Sequence, residues 1–147
     1  MLIIDVYAPE GLFPDKHALA HQLAFATIKW SKAPPIDLYL DNTVCYVHEV
    51  SADAFSDAAG NSTGVRIQVL VPAGVFGAAQ QDDLVRGLTH LVVEVVGDVQ
   101  IMSRIWCTII ESTDGGWGVG GFTHTKAQIS AIARREMSAR QSPPLGG

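Results

Sequence analysis

A pattern in the first half of this chain returns in the second. Ile67, Val69, Pro72, Gly74 and Phe76 stand 63 positions after Ile4, Val6, Pro9, Gly11 and Phe13, with the same residue at each place. Leu84, Leu88, Leu91 and Val95 repeat the spacing of Leu19, Leu23, Ala26 and Trp30 at an offset of 65, and Cys107 and Glu111 follow Cys45 and Glu49 at an offset of 62. Trp117 falls opposite Phe55 in the same register. Three stretches in step describe two copies of one supersecondary unit. Neither copy can bury its apolar surface alone, so the two must pack together.

The content of the unit is legible. Residues 2–8 are β-branched and aromatic and read as a strand, which Pro9-Glu10-Gly11 ends. Asp15 is a candidate helix cap. Leu19, Leu23, Ala26 and Trp30 then form one helical stripe, and Ala33-Pro34-Pro35 stops the helix. Residues 43–50 read as a second strand, and the small, polar stretch 51–64 as a linker. A crossover of helical length implies parallel strands and a right-handed connection in each unit. The expected fold is α/β: a single domain over 1–140 in which two tandem β-α-β units, 2–60 and 64–121, form a four-stranded sheet with their helices on one face. A C-terminal helix over 125–140 carries Ile129, Ile132 and Met137 on its apolar side, and 141–147, with Pro143-Pro144, reads as a flexible tail. Two helices cover one face of such a sheet. Copies of the same chain are the simplest cover for the other.

Composition agrees with an associating protein. Hydrophobic residues make up 48% and charged residues 17%, against about 25% charged in ordinary domains, which leaves apolar area for a partner subunit. A net charge of -5 without a basic block argues against a nucleic-acid partner. No apolar run reaches the roughly 18 residues of a membrane span, and no leader pattern opens the chain. Cys45 and Cys107 are the only cysteines and read as reduced strand residues of a cytoplasmic protein. No metal-ligand spacing, nucleophile elbow or nucleotide-binding glycine loop is present, so neither metal nor cofactor is expected.

Several polar residues could carry chemistry. Asp5 and Tyr7 share a strand face, as do Arg66 and Gln68 in the second unit. They read as an interface ion pair with hydrogen bonds or, more sharply, as an acid–base set. Lys16, His17 and His21 suit a solvated helix start, and His90 a helix surface. His48, beside Glu49, is of a type that titrates near neutrality. His124 follows a glycine-rich hairpin and is placed to overhang a neighbour's pocket.

One stretch carries a family likeness. An apolar run over 105–110 leads into Glu111, a polar turn, Trp117 and then Gly118-Val119-Gly120-Gly121. With the first strand and Glu10-Gly11, this resembles the 4-oxalocrotonate tautomerase family of the tautomerase superfamily, in a fused two-unit form covering most of 2–121. The resemblance implies a trimer with pockets near the strand starts at subunit contacts. It also implies a catalytic proline at the mature N-terminus, arginines that bind a keto-acid or halo-acrylate carboxylate, and an aromatic wall. Here Leu2 stands in the proline's place. Its bulk hinders removal of Met1, leaving a primary amine that titrates at about 7.7–8.0 when unperturbed. That amine is displaced by up to about 3.5 Å. Leu12 replaces the arginine often found after Glu-Gly, and the matching loop Pro72-Ala73-Gly74-Val75 is apolar as well.

The resemblance therefore implies a homotrimeric, tautomerase-like isomerase of atypical kind. It would move a proton next to a carbonyl on a small, rather apolar carbonyl or carboxylate substrate. Met1 would offer the amine and Arg104 would hold an oxyanion or carboxylate, while Leu2, Leu12, Phe55, Trp117 and His124 line the pocket. The alternatives are a non-catalytic ligand-binding or structural trimer of the same fold, or a related reaction run by side chains without the amine.

Overall fold

The computed structural model describes residues 1–142 of the chain. Strand β1 (Leu2–Pro9), helix α1 (Lys16–Trp30), a short helix α2 (Asp37–Leu40) and strand β2 (Thr43–Val50) form the first unit. Strand β3 (Val65–Val71), helix α3 (Ala78–Val96) and strand β4 (Ile105–Glu111) form the second. The sheet order is β2-β1-β3-β4. Within each unit the strands are parallel, as the crossover lengths require, while β1 and β3 meet antiparallel at the centre.

The repeat is repeated in its bonds. Ile4 lies opposite Cys45, and Ile67 opposite Cys107. Glu49 accepts from the Gly11 N–H at 3.1 Å, and Glu111 from the Gly74 N–H at 3.3 Å. Gly11 and Gly74 sit at φ 77° and 69°, a left-handed conformation that costs residues with a Cβ energy. The conserved spacing of glycine and glutamate thus records one strand-end turn built twice. The Gly11 bond, followed by Lys16, holds the Glu49 carboxyl below its ordinary value.

Alternation along the strands builds the core. Leu2, Ile4, Val6 and Ala8 of β1 and Val65, Ile67, Val69 and Val71 of β3 point to the helices and are buried. They meet Leu19 and Leu23 of α1 and Leu84, Leu88 and Val92 of α3. Asp15 caps α1 by accepting from the Ala18 N–H at 2.9 Å. Gly87 is a close-approach position: a Cβ there would fall 2.3 Å from the Trp30 ring, so the two helices pack through that glycine.

The other face carries three rows across the strands. They are Val44–Ile3–Leu70–Ile110, Tyr46–Asp5–Gln68–Thr108 and His48–Tyr7–Arg66–Trp106. Among the described residues only one end is covered within the chain. Strands β5 (Trp117–Val119) and β6 (Phe122–His124) form a hairpin, and helix α4 (Lys126–Gln141) follows. Trp117 and Ile129 pack with Met1 against Ile3, Leu70 and Tyr39. The α4 residue Glu136 accepts from the Asp37 and Leu38 N–H groups at 2.8 and 3.1 Å, which fixes α2 beneath it.

The stretch 51–64, which joins the two units, is an ordered loop. It contains a 3-10 turn (Ala52–Ala54), Asp57 accepts from the Ala59 and Asn61 N–H groups, and the Ser62 hydroxyl donates to the Ala52 and Phe55 carbonyls. Small polar side chains that bond to nearby backbone fix such a loop locally. The C-terminal helix continues through Gln141. The rest of the expected tail, 143–147, lies outside the described residues.

Candidate functional site

Antiparallel pairing of β1 with β3 places the start of one beside the end of the other. Ile3 faces Leu70, so the chain's first residues lie against the loop that follows β3. A cavity of about 270 Å³ opens there, with Met1, Leu2, Pro72, Val75 and Ile129 around it and Lys32 and Lys126 among its polar lining. Burial pulls the α-amine of Met1 down to about 5, because a desolvated ammonium is disfavoured. Lys126, at the start of α4, donates from Nζ to the Gly74 carbonyl at 2.8 Å. Lys32 follows the end of α1 at φ 57°, an uncommon left-handed position for a residue with a side chain.

Trp117 belongs to this end, but as packing. It is 6% exposed, against Met1 and Ile129, and it does not border the cavity. His124 pairs with Trp117 across the hairpin, and its buried Nδ1 has no partner among the described residues.

The remaining expected site residues lie at the opposite end of the sheet. β1 is eight residues long, roughly 25 Å at about 3.3 Å per residue, and Leu12 lies beyond it. Leu12 borders a cleft with Gly64, Ile101 and Arg104. Phe55 borders a second cavity of about 400 Å³ with Tyr7, Val50, Arg66 and Trp106. Arg104 is occupied: its Nη2 bonds Asp57 Oδ2 at 2.7 Å and the Thr63 carbonyl at 2.8 Å, and its guanidinium lies 5.0 Å from the Trp106 ring centre. Hydrogen bonds from Asn61, followed by one from Arg104, pull the Asp57 carboxyl down to about 2. The grouping of Met1, Leu2, Leu12, Phe55, Arg104, Trp117 and His124 around one pocket is therefore divided within a single chain. Met1, Leu2, Trp117 and His124 fall at one end, and Leu12, Phe55 and Arg104 at the other.

Between the ends lies a polar cluster. His48 Nε2 and Asp5 Oδ1 share a hydrogen bond of 2.7 Å, and Tyr7 stacks on His48 with ring centres 4.4 Å apart. Arg66 lies 5.3 Å from the Tyr7 ring centre and bonds Gln68. The in-chain partner of Asp5 is therefore His48 and not Arg66. Burial pushes the Cys45 and Cys107 thiols up to about 12 and about 11, and Asp5 adds to the former. Neither is poised as a thiolate.

Sequence reasoning missed three residues of these cavities. Lys32 and Lys126 follow no chemical motif; the one trace of Lys126 is its place after the Thr125 cap, whose hydroxyl accepts from the Gln128 N–H. Trp106 was hidden inside an apolar run. Among the described residues, no group of three or more His, Cys, Asp or Glu could hold a metal, and no helix is long and apolar enough to cross a membrane.

No protein-family model and no curated protein matches the chain by sequence. Solved structures do match. One is a fused 4-OT, solved as a wild-type asymmetric trimer, at 20% identity and TM-score 0.70, with 88% of this chain and 98% of that one covered. N1, a member of the cis-3-chloroacrylic acid dehalogenase family, aligns at 18% identity and TM-score 0.71, over 95% of this chain and 96% of its own. Macrophage migration inhibitory factor from Oncomelania hupensis aligns at 17% identity and TM-score 0.68, over 96% and 91% respectively. What these structures share with the chain is the fold, the paired β-α-β architecture expected from the sequence.

Proposed function

We propose, from a fold that is that of the tautomerase superfamily, that this chain is a tautomerase-like isomerase acting on a small, rather apolar carbonyl or carboxylate compound. The observation that carries the reading is the buried Met1 amine at a cavity bordered by two lysines. With its pKa at about 5, the amine is neutral at pH 7 and free to act as a base. It takes a proton from the carbon next to the carbonyl. The Lys32 and Lys126 ammonium groups offset the charge that develops on the oxygen. Proton return to that oxygen gives the enol, and the reverse sequence regenerates the ketone. Leu2, Pro72 and Val75 give the cavity an apolar side against which the hydrocarbon part of the substrate packs.

The fused 4-OT is described as a trimer, and we assign the same assembly to this chain. Tyr46, Ile110 and Phe122 are exposed apolar residues available for contacts between copies. Arg104 meets a Met1 cavity only in such an assembly, from a neighbouring copy. The two unpaired cysteines suit a reducing, cytoplasmic setting. The alternative is a ligand-binding trimer without catalysis. It is favoured by the fixed pairing of Arg104 with Asp57.

The test starts from intact mass, to establish that Met1 heads the purified chain. Keto–enol exchange of phenylpyruvate should then rise as pH passes about 5 and level off above it. Selective acetylation of the α-amine should lower the exchange rate by about a hundredfold or more. If acetylated and free protein exchange equally, the amine is not the base. If the free protein binds the compound without accelerating exchange, the binding-trimer reading takes its place.

A further inference from the structure

The Met1 cavity shares one residue, Lys32, with a groove on the outer face of the helices. We infer that this groove is a phosphate site that draws on Lys32, so that its occupant slows proton transfer in the Met1 cavity. The effect on proton transfer rests on the amine reading above; the site itself does not. The groove measures about 490 Å³, within the range of small-molecule sites, about 300–1,000 Å³. Lys29, Lys32, Arg86 and His90 border it, and all four are exposed. Asp83 is the one carboxylate among its lining residues. Helices α1 and α3 meet where a Cβ on Gly87 would run into the Trp30 ring. This close approach brings cations from the end of α1 and the middle of α3 to one groove. The groove lies on the helix side of the sheet, so copies that cover the opposite face leave it open.

Lys32 sets this groove apart. Among the described residues it is the one non-glycine at positive φ. Its N–H donates to the Lys29 carbonyl and the Ala33 N–H donates to the Ile28 carbonyl, at 3.2 Å each. In that helix ending glycine ordinarily holds the left-handed place. A lysine there carries backbone strain, of a kind that concentrates at functional positions. Neither Lys29 nor Lys32 enters an ion pair among the described residues, whereas Lys126 is held on the Gly74 carbonyl. Arg86 pairs with Asp82 at 2.6 Å, but the two side chains are 63% and 69% exposed. An exposed pair contributes little and leaves the guanidinium available. The carbonyls of Thr27, Ile28 and Lys29 accept from the Ser31, Ala33 and Lys32 N–H groups, so the negative end of α1 is partly satisfied beside the groove. A tetrahedral dianion can take several lysine and arginine donors at once.

The probe is inorganic phosphate, titrated into the full-length protein at constant ionic strength, with phenyl phosphate in parallel. Calorimetry reads the affinity. The Trp30 indole N–H resonance, assigned with Trp30→Phe, reads the place; it should move on saturation while the Trp106 and Trp117 signals stay. Arg86→Gln should weaken phosphate about fivefold and leave basal phenylpyruvate exchange unchanged. Lys32→Gly should weaken phosphate by a similar factor and melt at a higher temperature, because glycine relieves the strain. Saturating phosphate should slow exchange in the parent about tenfold or more, and Lys32→Gly should be as slow without phosphate. Tighter binding of phenyl phosphate assigns the groove to a phosphomonoester, and equal binding assigns it to the free ion. No Trp30 shift up to tens of millimolar phosphate, or parental affinity in either variant, overturns the inference. Equal slowing of Arg86→Gln and the parent at one subsaturating concentration would place the anion in the Met1 cavity and overturns it as well. A parent without any exchange refutes the amine reading, while the affinities of Arg86→Gln and Lys32→Gly still decide the inference.

Discussion

The two ends of the sheet began from one sequence pattern and now differ in almost every residue that faces solvent. At the Met1 end, an amine, two lysines and an apolar floor surround the smaller cavity. At the Gly64 end, three aromatic rings and an arginine surround the larger one. What stayed the same is what closes each turn and fills the core: the Glu–Gly bond, the left-handed glycine and the inward Ile and Val pairs. Residues whose roles are set by backbone geometry have few replacements. Residues that face a cavity are free to change with its contents. Even the aromatic counterparts Phe55 and Trp117 differ in kind, since Trp117 is buried under α4 whereas Phe55 borders open space.

That contrast can be broken experimentally. The largest effect is expected at the aromatic pair. Trp117→Ala should cost about 3–5 kcal/mol, as for a buried aromatic. Phe55→Ala should cost about 1 kcal/mol. Urea melts of both variants check this, and equal losses would mean that the two aromatic counterparts are packed alike. Next come the turns. Gly11→Ala should cost about 1–2 kcal/mol for its backbone conformation alone, since nothing lies within 4 Å of the added Cβ. Gly74→Ala should cost the same or slightly more, because the new methyl falls 3.3 Å from Lys126 Nζ. A large inequality in denaturation midpoints would show that the two turns are not equivalent.

The subtlest difference lies in pH. The Met1 amine titrates at about 5 when folded and at about 7.7–8.0 when unfolded. Between those values the unfolded chain holds more protons, so this group makes stability rise with pH from about 5 to 8, with no further gain above. The acetylated chain should lack that part of the slope. The Gly64 end has no amine and contributes nothing comparable. Melting temperatures of free and acetylated protein across this range give the difference directly. A parallel pair of curves would place the amine in solvent.

Much of the fold was legible because its determinants are local. Apolar alternation set the strands, Asp15 and the paired prolines bounded the first helix, and the offset of 63 identified two units. Parallel pairing within each unit followed from crossover length. The order of the loop over 51–64 was not legible, because local bonds of Asp57 and Ser62 combine there with one from Arg104, distant in sequence.

The candidate sites divide along the same line. Leucine at position 2 and the absence of any metal-ligand pattern were facts of sequence, and the buried Met1 follows from the strand it begins. Which residues stand near Met1 was decided by the antiparallel meeting of β1 and β3, a long-range pairing that no local pattern encodes. The family resemblance suggested Leu12 for the pocket, since it stands where an arginine often follows Glu10-Gly11. Within one chain an extended strand carries Leu12 to the far end, and Pro72, Val75 and Lys126 stand at the near one. Side-chain character is written residue by residue. Proximity between segments sixty residues apart exists only once the sheet has closed.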